Sequence, residues 1–128
     1  MRALLDTHSF IWFVEGDERL SSSARQIIGD PANEILFSAA SLWEMAIKVS
    51  IGKLALAHAF EASTLGHMAR NDIRLLDVRV SHITGVLTLP FHHRDPFDRM
   101  LVSQALVEGV PVIGADQVFD SYGVQRLW

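Results

Sequence analysis

The sequence predicts an α/β domain in which a mostly parallel sheet carries helices on both faces. Three observations lead there. Short apolar runs at residues 2–5, 34–37, 73–76, 110–113 and 124–127 have strand character, and each is followed or preceded by a segment with helical spacing and caps. Strands separated by helices need crossover connections, and such crossovers cover both faces of the sheet. Finally, 128 residues that are 49% hydrophobic and 20% charged suffice for one buried core and give no sign of a second domain, so residues 1–128 are read as a single unit.

The first strand, residues 2–5, runs into Asp6-Thr7, which offers an N-cap for an apolar-rich helix over 9–14. Residues 21–28 read as a second, capped helix closed by Gly29-Asp30-Pro31, and 34–37 as the second strand. Ser38 caps a helix over 39–50, where Leu42, Met45, Ala46 and Val49 sit at core spacing and Gly52 ends the run. A further helix extends from about His58 to Asn71, and the third strand follows at 73–76. Residues 81–87 form a short helix before Pro90. After the polar stretch His92-His93-Arg94-Asp95, Pro96 takes the first helical position behind an Asp95 cap, and that helix continues to Gly109. The fourth strand is 110–113, a helical turn lies near Val118, and 124–127 is an edge strand.

Composition narrows the function classes. The chain has no cysteine, which removes disulfides and thiolate metal sites and permits a reducing compartment. No apolar stretch approaches the roughly 20 residues of a membrane span and the N-terminal run is too short for a signal peptide, so a cytoplasmic protein is expected. A net charge of −4 argues against a broad nucleic-acid-binding surface but leaves room for a local one, because carboxylates that hold divalent cations attract phosphate once the cation is bound.

The carboxylates suggest such a site. In an open parallel sheet all strands end on one side, and ligands bind beyond those carboxyl ends. Asp6 and Asp116 follow strands, Glu44 lies early in the helix after the second strand, and Asp98 lies in the first turn of the helix that returns to feed the fourth strand. All four therefore point to one rim. Each also has an ordinary explanation: Asp6 as a helix cap, Asp98 as part of a capping box with Asp95, Glu44 as an ion pair with Lys48 four residues on, Asp116 as a turn residue. One shared cause explains four coincidences better. An oxygen-only set without Cys fits Mg²⁺ or Mn²⁺ better than zinc, and ions of that kind make metal-assisted hydrolysis of nucleic acid the natural reaction class. Neither GxGxxG nor GxxxxGK[ST] nor GxSxG occurs.

The ordered stretches LLDTH, SAASLWEMAIKVSIGKL, HHRDPFDRMLVSQAL and VIGADQVFDSYGVQRLW resemble the PIN-domain family, and within it the VapC-like toxins of type II toxin–antitoxin systems. The resemblance implies a five-stranded parallel sheet of order 3-2-1-4-5 and a Mg²⁺- or Mn²⁺-dependent endoribonuclease. Its acidic quartet falls on Asp6, Glu44, Asp98 and Asp116. It also implies an RNA substrate, a cognate antitoxin and a homodimer. One position departs from the pattern: many relatives carry Thr or Ser two residues before the last acid, where this chain has Gly114. Asp6, Glu44 and Asp98 accordingly rank above Asp116.

Arg94 and Arg99 flank the third acid and suit either substrate phosphate or charge balance. His92 and His93 read as solvated loop residues, and His58 and His67 as surface residues. Trp12, Phe13 and Trp43 read as core or dimer contacts, since nothing basic is interleaved with them. Two further functions stay open: a PIN-like RNA-binding or interaction module with weak catalysis, and a DNase.

Overall fold

The computed structural model describes residues 1–56 and 59–128. Its elements run β1 (Arg2–Leu5), α1 (Thr7–Glu15), α2 (Ser22–Gly29), β2 (Glu34–Ser38), α3 (Ala39–Ser50), α4 (Phe60–Arg70), β3 (Ile73–Leu76), α5 (Val80–Gly85), α6 (Pro96–Glu108), β4 (Val112–Ile113), α7 (Val118–Ser121) and β5 (Arg126–Leu127). The strands form one sheet in the order β3-β2-β1-β4-β5, and every pairing is parallel. In register, Leu5 pairs with Phe37 on one side and with Ile113 on the other.

Alternation along the strands sorts the core into two layers. Ala3, Leu5, Ile35, Phe37, Ile73 and Ile113 face α1 to α4, where they pack with Phe10, Leu20, Ala24, Ile28, Met45 and Met68. Leu4, Leu36, Leu76 and Val112 face the other way, against Leu89, Leu101, Val102, Ala105, Phe119, Tyr122 and Val124. Phe10 and Phe37 stack with ring centroids 4.2 Å apart, tying the first helix to the second strand. Trp12 and Phe13 pack against the same layer, as expected. Trp43 lies outside the core: it is 64% exposed and stands edge-on to Phe97.

Several boundaries differ from the sequence expectation, each for a local reason. α1 begins at Thr7 because Asp6 alone is the cap, its side chain accepting from the Ser9 backbone N–H. β4 is shorter than 110–113, since the Val110 N–H still bonds back to Ala105 O and Pro111 has no N–H to give to a ladder. β5 is likewise confined to Arg126–Leu127. The helix expected over 81–87 stops at Gly85 and tightens into a 3₁₀ turn, Val86–Thr88. The expected start of the fourth helix at about His58 lies outside the described residues, as does the reading of that histidine. His67, expected at the surface, is half-buried.

One packing contact fixes the helix that carries Asp98. Gly85 lets α5 lie directly on α6: a Cβ there would collide with the Ser103 hydroxyl. That hydroxyl donates to His82 O at 2.5 Å, and the fully buried His82 ring reaches Glu108 Oε1 at 3.0 Å, so the two helices are latched at both ends of the contact. Gly85→Ala should therefore destabilise the fold by about 1–3 kcal/mol, as an overpacked contact does. Urea denaturation of the variant beside the parent checks this.

Candidate active site

The parallel sheet brings the C-terminal ends of its strands to a single rim. At its centre the Asp6 backbone N–H donates to Ile113 O at 3.0 Å, joining the ends of β1 and β4. The Asp6 side chain is 5% exposed, and its Oδ1 accepts from Ser9 N at 2.7 Å. Burial pushes its pKa up; the Ser9 hydrogen bonding opposes the rise and the charge of Glu44 adds to it. Capping and membership of an acidic site are thus compatible, because the cap uses one carboxylate oxygen. The other leans over Gly114, where a Cβ would stand 2.7 Å from Asp6 Oδ2. The departure at Gly114 is therefore coupled to Asp6: the space a side chain would fill there is the space this carboxylate uses.

Glu44 is placed from below by Thr7. The buried Thr7 hydroxyl donates to Glu44 Oε1 at 2.7 Å and shares a second hydrogen bond with Ser41 Oγ at 2.9 Å. Lys48 Nζ lies 3.3 Å from Glu44 Oε2, so the ion pair that sequence spacing offers is also made. Ser38, the last residue of β2, caps α3 by accepting from Ala40 N at 3.0 Å, and this sets the angle at which Glu44 meets the rim.

Asp98 does not cap α6. Asp95 does so, its Oδ1 accepting from Phe97 N at 2.9 Å and from Asp98 N at 3.1 Å. The Asp98 carboxyl is pushed up to about 7, first by burial and then by the charges of Asp95, Glu44, Asp6 and Asp116. The three other rim acids thus all act on it. Asp116 is the outlying member: it is exposed, and its Oδ1 accepts from Val118 N at 3.0 Å in a tight turn.

The arginines divide. Arg94 is exposed. Arg99 is 5% exposed and committed elsewhere, with Nη1 donating to Pro90 O at 2.7 Å and to Tyr122 Oη at 3.2 Å. Its guanidinium carbon stands 4.3 Å above the Phe91 ring centroid, so its donors are turned to the loop before α6. His93, expected in solvent, is half-buried: Nδ1 is 2.7 Å from Tyr122 Oη and Nε2 is 3.4 Å from Asp98 Oδ2. His92 stays exposed, its ring edge-on to Tyr122. Thr7, His93 and Tyr122 escaped sequence reasoning. Thr7 adjoins an acid and could have been noticed; the pairing of His93 with Tyr122, 29 positions away, has no local signal.

The donor set is carboxylate and hydroxyl oxygen, which suits a hard divalent cation. Among the described residues no three Asp, Glu or His side chains are closed around one point.

An open all-parallel sheet of this order with buried carboxylates at its carboxyl rim defines an acid-site α/β domain. The chain belongs to the PIN domain family, whose model matches residues 3–125. No curated protein matches it by sequence. Among solved structures it is similar to VapBC2 from Rickettsia felis bound to a DNA fragment from their promoter, with 12% identity and a TM-score of 0.73 over 100% of both chains. It is also similar to VapBC-1 from nontypeable Haemophilus influenzae, with 15% identity and a TM-score of 0.67 over 98% of this chain and 96% of that one. At such identities the likeness is one of fold.

Two outcomes are expected. In the unfolded chain Asp98 titrates near 3.8 and in the fold at about 7, so stability is full below the lower value and is lost as pH rises through the higher. Asp98→Asn removes that loss: in metal-free protein the variant should match the parent in acid, gain on it from about pH 4 upward, and keep the gain above neutrality. Thermal melts across that range read it. Separately, Gly114→Ala should push Asp6 aside and cost about 1–3 kcal/mol, measured by urea denaturation.

Proposed function

We propose that this chain is a metal-dependent endoribonuclease toxin, that Mg²⁺ or Mn²⁺ is its cofactor, and that a cognate antitoxin protein keeps it inactive in the cytoplasm. The single observation that carries the reading is the crowding at Asp98, where burial and four neighbouring carboxylates raise one acid to about 7. Like charges gathered at a ligand-binding rim support a cation site there. The family and the two VapBC neighbours, which are toxin–antitoxin complexes, support the same reading.

Asp6, Glu44 and Asp98 are assigned as the principal ligands, with Asp116 contributing from the open side. A divalent ion held there would polarise the phosphodiester and supply the activated water for its hydrolysis. The protein's own part is placement. Ser9 N fixes one oxygen of Asp6, Thr7 fixes one oxygen of Glu44, and Gly114 leaves Asp6 Oδ2 room beside the strand end. Arg94 is the exposed cation assigned to substrate phosphate.

The antitoxin is assigned to an apolar cleft. An apolar cleft of about 420 Å³ lies between α3 and α6, lined by Trp43, Phe97, Met100 and Ile83 among others. Phe97 in its lining precedes Asp98 on α6. A partner segment with an apolar face would bury Trp43 there and bring a cationic side chain to the carboxylates. A homodimer is part of this proposal.

Purified protein should cleave single-stranded RNA in Mg²⁺ or Mn²⁺ and stop in excess chelator, while Asp6→Asn or Glu44→Gln should lower the rate by roughly 100-fold or more. Gel assays on matched RNA and DNA oligonucleotides check this. Equal cleavage of DNA would make the protein a general nuclease, and RNA retention without cleavage would make it a binding module.

A further inference from the structure

Helix α1 places nothing basic beside Trp12, but the segments around it do. From the loop after α1, the Arg19 guanidinium carbon stands over the indole, 5.2 Å from its ring centroid. From the end of β5, Trp128 meets the same indole edge-on with centroids 6.0 Å apart, and the exposed His8 ring lies 5.9 Å away, one turn earlier on α1. Topology fixes where this group sits. β5 runs parallel to β4, so Trp128, which follows Leu127, leaves the sheet at the same rim as Asp6. β5 is two strands from β1 in the sheet, about 10 Å at ordinary strand spacing. A helical side chain leans toward the N-terminus of its helix, and for α1 that is the end capped by Asp6. Trp12 and Trp128 therefore meet beside the acids.

The edge of the Arg19 guanidinium is already taken. Nε donates to Asp17 Oδ1 at 3.1 Å and Oδ2 at 3.2 Å, and Nη2 donates to Oδ2 at 2.7 Å. Asp17 is itself held, its N–H donating to Trp12 O at 2.9 Å and its carbonyl accepting from Arg25 Nη2 at 3.1 Å. Glu15 and Glu18 are exposed in the same segment, so the local charge does not favour phosphate. What the ion pair leaves is the plane. The Arg19 side chain is 68% exposed, and with one side toward Trp12 and an edge on Asp17, its outer face is what meets solvent. A guanidinium held in orientation and backed by an aromatic ring is a flat, weakly hydrated surface on which a nucleobase stacks.

We infer that Arg19, backed by Trp12 and flanked by Trp128, is a stacking platform for one unpaired nucleobase of an RNA strand whose phosphate lies at the acid rim. Every base has a π-face, so the platform tolerates sequence; a base inside a duplex has both faces covered, so it selects single strand. That the strand is an RNA substrate rests on the function proposed above. The preference of this surface for a base over a phosphate does not.

The test uses adenosine 5′-monophosphate and ribose 5-phosphate, which differ in the base and contain no diester to hydrolyse, so Mg²⁺ can be present throughout. In ¹H–¹⁵N spectra the adenosine monophosphate should shift the Arg19 Nε–H and the indole N–H signals of Trp12 and Trp128, leaving that of Trp43 in place. It should bind roughly 5–100-fold more tightly than ribose 5-phosphate. Arg19→Lys keeps the charge beside Asp17 but has no plane, so it should bring the affinity for adenosine monophosphate down toward that of ribose 5-phosphate. Equal affinities for the two probes, a titration that moves none of the three signals, or an Arg19→Lys variant that binds like the parent overturns the inference. The cleavage assay separates it from the function on which it rests. A parent that binds the base here but cleaves no RNA upholds the platform and fails the nuclease reading; a parent that cleaves RNA, with kcat/KM unchanged in Arg19→Lys, overturns the platform.

Discussion

Negative charge buried at the end of a sheet is costly, and much of this molecule is arranged around that cost. Asp6 sits at the end of the central strand, almost without solvent, beside the ends of β4 and the start of α1. Its burial is tolerated because the first turn of α1 offers a backbone N–H to one oxygen. Glu44 is tolerated because Thr7 and Lys48 take one oxygen each. Among the described residues no hydrogen bond to the Asp98 carboxylate is made, His93 Nε2 standing 3.4 Å from Oδ2, and it is there that crowding shows, as a carboxyl lifted to about 7.

The ordinary explanations of these acids and their proposed roles turn out to share atoms rather than compete for them. Asp6 does cap a helix, and Glu44 does pair with Lys48. A carboxylate has two oxygens, so one can meet the needs of the fold while the other faces the rim. Asp98 differs because its neighbour Asp95 does the capping, which leaves its side chain to the cluster and to His93. Gly114 belongs to the same arrangement, as its missing side chain is the space into which Asp6 leans.

The two core layers are of unequal consequence for the rim. The layer around Phe10, Phe37 and Met45 holds α1, which Asp6 caps, and α3, which carries Glu44. The layer around Leu101, Phe119 and Tyr122 holds α6 and Asp98, and its Tyr122 doubles as an apolar packing group and the hydroxyl that meets both Arg99 and His93. A single aromatic ring thus joins packing on one face of the sheet to polar contacts with His93 and Arg99 at its edge.

Much of this was legible in the sequence because it is local. Strand and helix periods, the caps at Ser38 and Asp95, the proline at the head of α6 and the Glu44–Lys48 spacing are fixed by residues a few positions apart, and the structure bears them out. The sheet order followed from the family resemblance, and that too is observed. What the sequence could not decide depends on contacts between distant segments. The burial of Arg99 under Phe91, the turning of His93 onto Tyr122, the exposure of Trp43 and the closeness of Gly114 to Asp6 are all set by how helices seat on the sheet. The shortening of β4 lies between the two, since Pro111 was visible but its effect required knowing that Val110 still bonds to the helix. Local chemistry selects the elements; which side chains lose water, and which charges come to share a low-dielectric rim, is decided only when those elements pack.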